Sequence, residues 1–386
     1  MHCARPPRVA WRWSSPPAIS TRSAPCASAC TWSPVNPSVP NCRRPAARRW
    51  PTASPTWRRS IDMRRLNVAP AVLVAALLIL VFSVSVPRFA SLGNAENLLR
   101  IAAILAIAAS GQAIVLMTGG LDFSTGASVA LVSVATALLL HVFPAALAVP
   151  LGALVAVVVG LLNGVLIGRL GLTPLIATLG MSLVCGGLAA HLAGGMPLDP
   201  APSDAFAWLG RGTLAGLPVP IWLAAGCCVL LHGLLTRSVV GRYWTLLGTN
   251  ARATRLAGVP VQASLVAAYG CAGLLTGLAG AILTSRVASG QPQLWPALPF
   301  ESIAACAVGG ISLAGGRGSV LQVVTGVLIV AMLNNVVVLL NLPAAVQQIV
   351  MAGVIVGAVA LQLPALRERL WRLPRRQRQA TEVVLP

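Results

Sequence analysis

Two carboxylates stand in apolar sequence: Asp122 in VLMTGGLDFSTGASVALVSV and Glu301 in FESIAACAVGGISLAGGRGSV. Between Arg100 and Arg169, Asp122 is the only formal charge. An isolated acid in such surroundings has three uses. It accepts hydrogen bonds from the orphan amides of a helix start. It meets the polar groups of a passing solute. With a second titratable group it runs acid–base chemistry. The third use finds no support, because no nucleophile–base–acid set is visible and His191 and His232 read as isolated polar groups near helix ends. The chain also contains no Lys, so the lysine-bearing loop that cradles nucleotide phosphates is absent.

The elements that must position these acids follow from composition. Of 386 residues, 56% are hydrophobic and 9% charged, against about 25% charged in soluble domains. The mean hydropathy is +0.81. These values exclude a soluble enzyme and point to an all-α, polytopic helical membrane protein with lipid around its apolar side chains. Residues 1–62 differ from the rest. They hold ten of the 28 Arg, eleven of the 29 Pro, five of the ten Trp and four of the nine Cys, at positions 3, 26, 30 and 42. Pro interrupts every candidate helix there. The segment reads as a targeting peptide, a disordered arm or a misassigned start, and the compositional break favours a true start at Met63. Residues 63–366 form the expected transmembrane domain, and 367–386 a basic cytoplasmic tail.

From Met63 on, 18 Arg face seven acids, a net charge of +11. These arginines sit in short loops beside apolar runs, which is a topology signal and not a nucleic-acid-binding face. Cys185, Cys227, Cys228, Cys271 and Cys306 read as small buried apolar residues, and no metal site or cofactor is expected.

A crossing needs about 20 apolar residues. About ten crossings are expected: 68–86, 101–117, two between Asp122 and Arg169 turning near Pro144, 172–194, 219–236, 261–285, a short one at 302–313, 320–342 and 344–363. A cytoplasmic start places Arg169, Arg237, Arg242, Arg252, Arg255 and Arg317 inside, and Asp199 and Asp204 outside.

Three motifs carry more information. In the basic loop RSVVGRYWTLLGTNARATRLAGVPV, the residues Gly241, Arg242, Gly248, Asn250, Arg255, Leu256 and Gly258 combine with apolar residues, and Leu246, Leu247, Ala253, Leu256 and Ala257 are expected to share one side of short helices. That fits a segment that docks into a partner. The stretch from Glu301 contains Gly309, Gly310, Gly315 and Gly316, which permit close backbone approach or broken helices. In MTGGLDFSTGASVAL, Gly119 and Gly120 break the second crossing, and Asp122 is expected to cap the next helix, with solute contact as the alternative.

Together these motifs resemble ABC-importer permeases of the ribose/xylose/galactoside type. The loop approximates that family's GR-x-x-x-A-x-G-x-N coupling pattern, 301–318 matches its Gly-Gly-x-Ser-Leu-x-Gly-Gly-x-Gly string, and 118–127 resembles its TGG-x-DLS-x-GS segment, with Phe123 and Ala127 as departures. The resemblance covers about residues 68–365. It implies the membrane-spanning subunit of an ATP-driven monosaccharide importer in a bacterial inner membrane. It also implies a separate ATPase bound at 241–260, an extracytoplasmic sugar-binding protein, and a second permease copy or paralogue. Asp122, Ser124, Asn163, Glu301 and Asn334 are then candidates for the substrate pathway. Another small polar solute, such as a nucleoside or signalling furanose, is the alternative cargo. An ion-coupled secondary transporter is the alternative of another class.

Overall fold

The computed structural model describes residues 69–362, all within the second of the two units into which the chain divides, Ile61–Pro386. The expected start at Met63 and the tail at 367–386 lie outside the described residues. Within them the fold is all-α. The helices are α1 (Ala69–Ser85), α2 (Leu92–Met117), α3 (Thr125–Leu140), α4 (Ala145–Gly168), α5 (Pro174–Leu192), α6 (Asp204–Arg211), α7 (Val219–Arg237), α8 (Val239–Thr249), α9 (Ala251–Leu256), α10 (Val261–Val287), α11 (Leu298–Gly309), α12 (Val320–Leu339) and α13 (Ala344–Gln362). A two-residue hairpin, β1 (Thr213–Leu214) and β2 (Leu217–Pro218), lies between α6 and α7.

Six of these helices are long and apolar enough to cross a membrane: α2, α4, α5, α7, α10 and α12. Four shorter apolar stretches lie in α1, α3, α11 and α13. Each of the ten expected crossings therefore corresponds to one apolar helix. The short eighth segment is the 12-residue α11, about 18 Å long, against about 30 Å of hydrocarbon. It ends where Gly310 takes φ +94°, a left-handed cap that a side chain would strain.

Burial sorts the helices into centre and rim. Every residue of α2 from Ala102 to Met117 is buried, so this helix is apolar all round because protein surrounds it. Leu73 and Val84 of α1, Leu183 and Val184 of α5, and Val229 and Leu230 of α7 are exposed, the outward face that lipid covers. The α4–α10 pair is joined through small residues: a Cβ on Gly160 or Gly273 would strike the facing backbone at Tyr269 or Ala156. Close backbone approach supplies the packing that lipid solvent does not drive. Gly326 of α12 meets Ala305 of α11 in the same way, and Gly309 meets Gln322.

Candidate functional site

The described helices bring the sequence candidates together in three places, one around each motif. The first surrounds Asp122. α2 ends at Met117 with Thr118 as its cap, and α3 begins at Thr125. The break between them is a turn followed by irregular chain, held by side chains from other helices. Asp122 Oδ1 accepts from Ser124 N at 2.8 Å and from Ser124 Oγ at 2.6 Å. Asn163 Nδ2 of α4 donates to Ser124 Oγ at 2.9 Å. Thr178 Oγ1 of α5 accepts from Phe123 N at 3.2 Å. Turned to satisfy its surroundings, the Gln112 amide of α2 bonds the Asp122 backbone carbonyl and amide at 3.2 and 3.3 Å. Asp122, Ser124, Asn163 and Gln112 are all buried. Asp122 does cap, but not the helix itself: the N-cap of α3 is Ser124, whose side chain makes no capping bond to α3. The carboxylate holds the Ser124 amide, one residue ahead of the first turn. Its two-residue reach is a local Asx turn, which ends the broken segment and does not start the next one.

The second place is the basic loop, which forms α8 and α9. Asn250 separates them and caps α9, accepting from Ala253 N at 3.0 Å. The apolar residues do not share one side. Leu247 and Trp244 are buried, whereas Leu246, Ala253, Leu256 and Ala257 are exposed: Leu246 and Leu247 are consecutive on one helix and point about 100° apart. Gly241 and Gly248 point inward. A Cβ on Gly248 would strike Met117, Gly315 and Gly316, and one on Gly315 would lie 3.0 Å from the Gly119 Cα. Gly316 N donates to Met117 O at 2.9 Å. Gly119, Gly248, Gly315 and Gly316 thus meet where the loops after α2 and α11 touch α8. Gly120 packs separately, against Tyr269 of α10. Arg242, Asn250, Arg252, Arg255, Leu256 and Gly258 face outward.

The third place lies at the other end of α10. This helix starts beside α9 and runs 27 residues, about 40 Å. Its far end, with the near ends of α2, α11 and α13 and the last turns of α12, lines a half-open cavity of about 320 Å³. Asn97, Arg286, Trp295, Glu301, Asn334 and Gln347 are among its lining residues. Glu301 lies in the first turn of α11 and is 2% exposed. Its Oε2 has no hydrogen-bond partner among the described residues. Arg286 Nη2 donates to Asn97 Oδ1 at 2.6 Å, and Gln347 Nε2 to Asn334 Oδ1 at 3.3 Å. Arg286, Trp295 and Asn97 were not expected from sequence. Arg286 carried a signal: it is the only charge between Arg255 and Glu301, and it sits at the end of a crossing opposite the basic loop. Among the described residues no group of His, Cys, Asp and Glu could hold a metal ion.

Comparison with known proteins covers the span in which all three places lie. The family described as branched-chain amino acid transport system / permease component matches residues 94–359. The ribose import permease protein of Bacillus subtilis is 39% identical over 287 residues, covering 74% of this chain and 89% of that protein. The ribose import permease protein of Escherichia coli K12 is 34% identical over 290 residues, covering 74% and 90%. The L-arabinose transport system permease protein of the same strain is 35% identical, covering 74% and 87%. No solved structure matches the chain.

Proposed function

We infer the function from one premise: this chain belongs to the branched-chain amino acid transport system / permease component family. It is the multi-pass membrane subunit of an ATP-binding-cassette importer in the bacterial inner membrane, and its cargo is a monosaccharide. The cargo rests on relatives that import ribose and arabinose. ATP is hydrolysed on a separate subunit, because this chain lacks a lysine for a phosphate loop.

The observation that carries the coupling is the two-faced α8–α9 segment. Gly241, Trp244, Leu247 and Gly248 fasten it to the bundle, while Arg242, Leu246, Arg252, Arg255 and Leu256 stand exposed. Exposed leucines flanked by arginines suit a cleft with an apolar floor and an acidic rim. This end is cytoplasmic by the placement of its arginines, so the Glu301 cavity opens toward the extracytoplasmic binding protein. A second permease copy or paralogue completes the membrane unit. The Asp122 knot fixes the broken helix, and Glu301 and Asn334 lie on the cargo's route.

Charge reversal at Arg255 tests the reading. Arg255→Glu should reach the membrane normally, yet uptake and binding-protein-stimulated ATP hydrolysis should fall together by tenfold or more. Solute accumulation by the chain alone in liposomes, driven by a proton or sodium gradient, would replace the importer with a secondary transporter.

A further inference from the structure

The Glu301 cavity has features that a mere passage does not need. Its carboxylate is almost wholly buried, and Oε2 lacks a donor. A buried carboxylate oxygen left unmet costs more than the single bond it forgoes, so its retention calls for an occupant. Arg286 lines the same space without pairing with Glu301; the ion pair recorded among the described residues is Arg100–Glu96. An acid and a guanidinium that face one cavity without meeting leave a gap between an acceptor and a set of donors.

The occupant must therefore donate to Glu301 and accept from Arg286. A metal cation or proton satisfies the acid but is repelled by Arg286. An anion has the reverse difficulty. A neutral polyol meets both, since each hydroxyl is donor and acceptor at once. The amides fit the same solute: Asn97 Oδ1 and Asn334 Oδ1 already accept from Arg286 and Gln347, and the Asn97 and Asn334 amide hydrogens and the Gln347 carbonyl complete a wall of mixed donors and acceptors. Trp295 adds an apolar ring with one N–H. The volume of about 320 Å³ stands at the low end of the roughly 300–1,000 Å³ of small-molecule pockets, which suits one sugar ring and not an oligosaccharide. A zwitterionic amino acid also has both charges. Its apolar side chain, however, would leave the amides facing hydrocarbon.

We propose that this cavity is a resting site for a single monosaccharide inside one protomer, with Glu301 accepting from ring hydroxyls and Arg286 donating to them. The proposal rests on the importer reading and adds a point at which the permease itself holds cargo.

The test is equilibrium binding of radiolabelled D-ribose, D-xylose, L-arabinose and D-galactose, with L-leucine as the amino-acid arm. The sample is the permease–ATPase complex in nanodiscs without binding protein, with and without sodium. Saturable, sodium-independent binding of at least one imported sugar is expected, weakened tenfold or more by Glu301→Gln and by Arg286→Lys. A bound sugar should also raise the thermal midpoint of the wild-type complex and not that of Glu301→Gln. Four results overturn the proposal: no saturable binding of any sugar the complex imports, sugar binding unchanged in both variants, preference for leucine, or binding that requires sodium. Stimulation of ATP hydrolysis by the binding protein, measured on the same samples, separates the two readings. If it persists while sugar binding is absent, the cavity assignment fails and the importer stands.

Discussion

Asp122 and Glu301 are both buried acids in apolar surroundings, and they differ in who meets their oxygens. Asp122 is met by its own neighbourhood. Ser124, two residues on, supplies both donors to Oδ1, and Asn163 and Gln112 close the shell around that turn. Glu301 stands in a cavity wall, and its Oε2 is left over. A buried acid whose donors come from its own turn is holding backbone. One that keeps an unmet oxygen in the wall of a cavity is holding room for something else. Burial alone does not separate the two cases.

Substitutions can break this contrast. The largest stability effect falls on the closed site. Asp122→Ala leaves the Ser124 amide and hydroxyl without their acceptor and should cost about 2–3 kcal/mol, read as a lower thermal midpoint in detergent. Glu301→Gln should show no such loss despite its effect on sugar binding, and a comparable drop in midpoint would make Glu301 a second structural knot. Asn163→Ala comes next. It removes one donor to Ser124 Oγ, while Asn163 Oδ1 has no partner to lose. About 1 kcal/mol is expected, with uptake following stability and not falling below it. Asp122→Asn sharpens the comparison most and perturbs least. Its remaining oxygen still accepts from the Ser124 amide, so both midpoint and uptake should stay near wild type. If Asn at 122 abolishes uptake in a stable protein, the negative charge itself is required, and the closed site belongs to the pathway as well.

The ten apolar runs were legible in the sequence because lipid removes the usual ambiguity of short hydrophobic stretches, and each run ends at a charge, Pro or glycine pair that the helices respect. The break at Gly119 and Gly120 and the brevity of α11 were legible for the same reason. The helix α6 was not, because its eight residues lie in a polar loop where no apolar run marks them. The division of the basic loop was missed at Leu246 and Leu247: adjacent leucines look alike in sequence, but consecutive helical positions point about 100° apart. The cavity was only half legible. Glu301 and Asn334 stood out as polar residues in matched segments. Asn97, Arg286, Trp295 and Gln347 become partners only when four distant helix ends meet, and spacing along one chain does not record which ends those are.

Where the loops after α2 and α11 cross α8, three stretches of main chain approach through glycines, and the Thr249 methyl is the side-chain atom nearest Gly316. Side chains act as springs, since a rotamer change absorbs a small displacement. Bare backbone has no such compliance. A shift of α8 by even an ångström has to be taken up by the strand leading to Asp122 or by the turn leading into α12, and the harder of the two will pass it on. The joint is therefore a stiff one. A methyl group added there acts less as lost packing than as a wedge in a bearing.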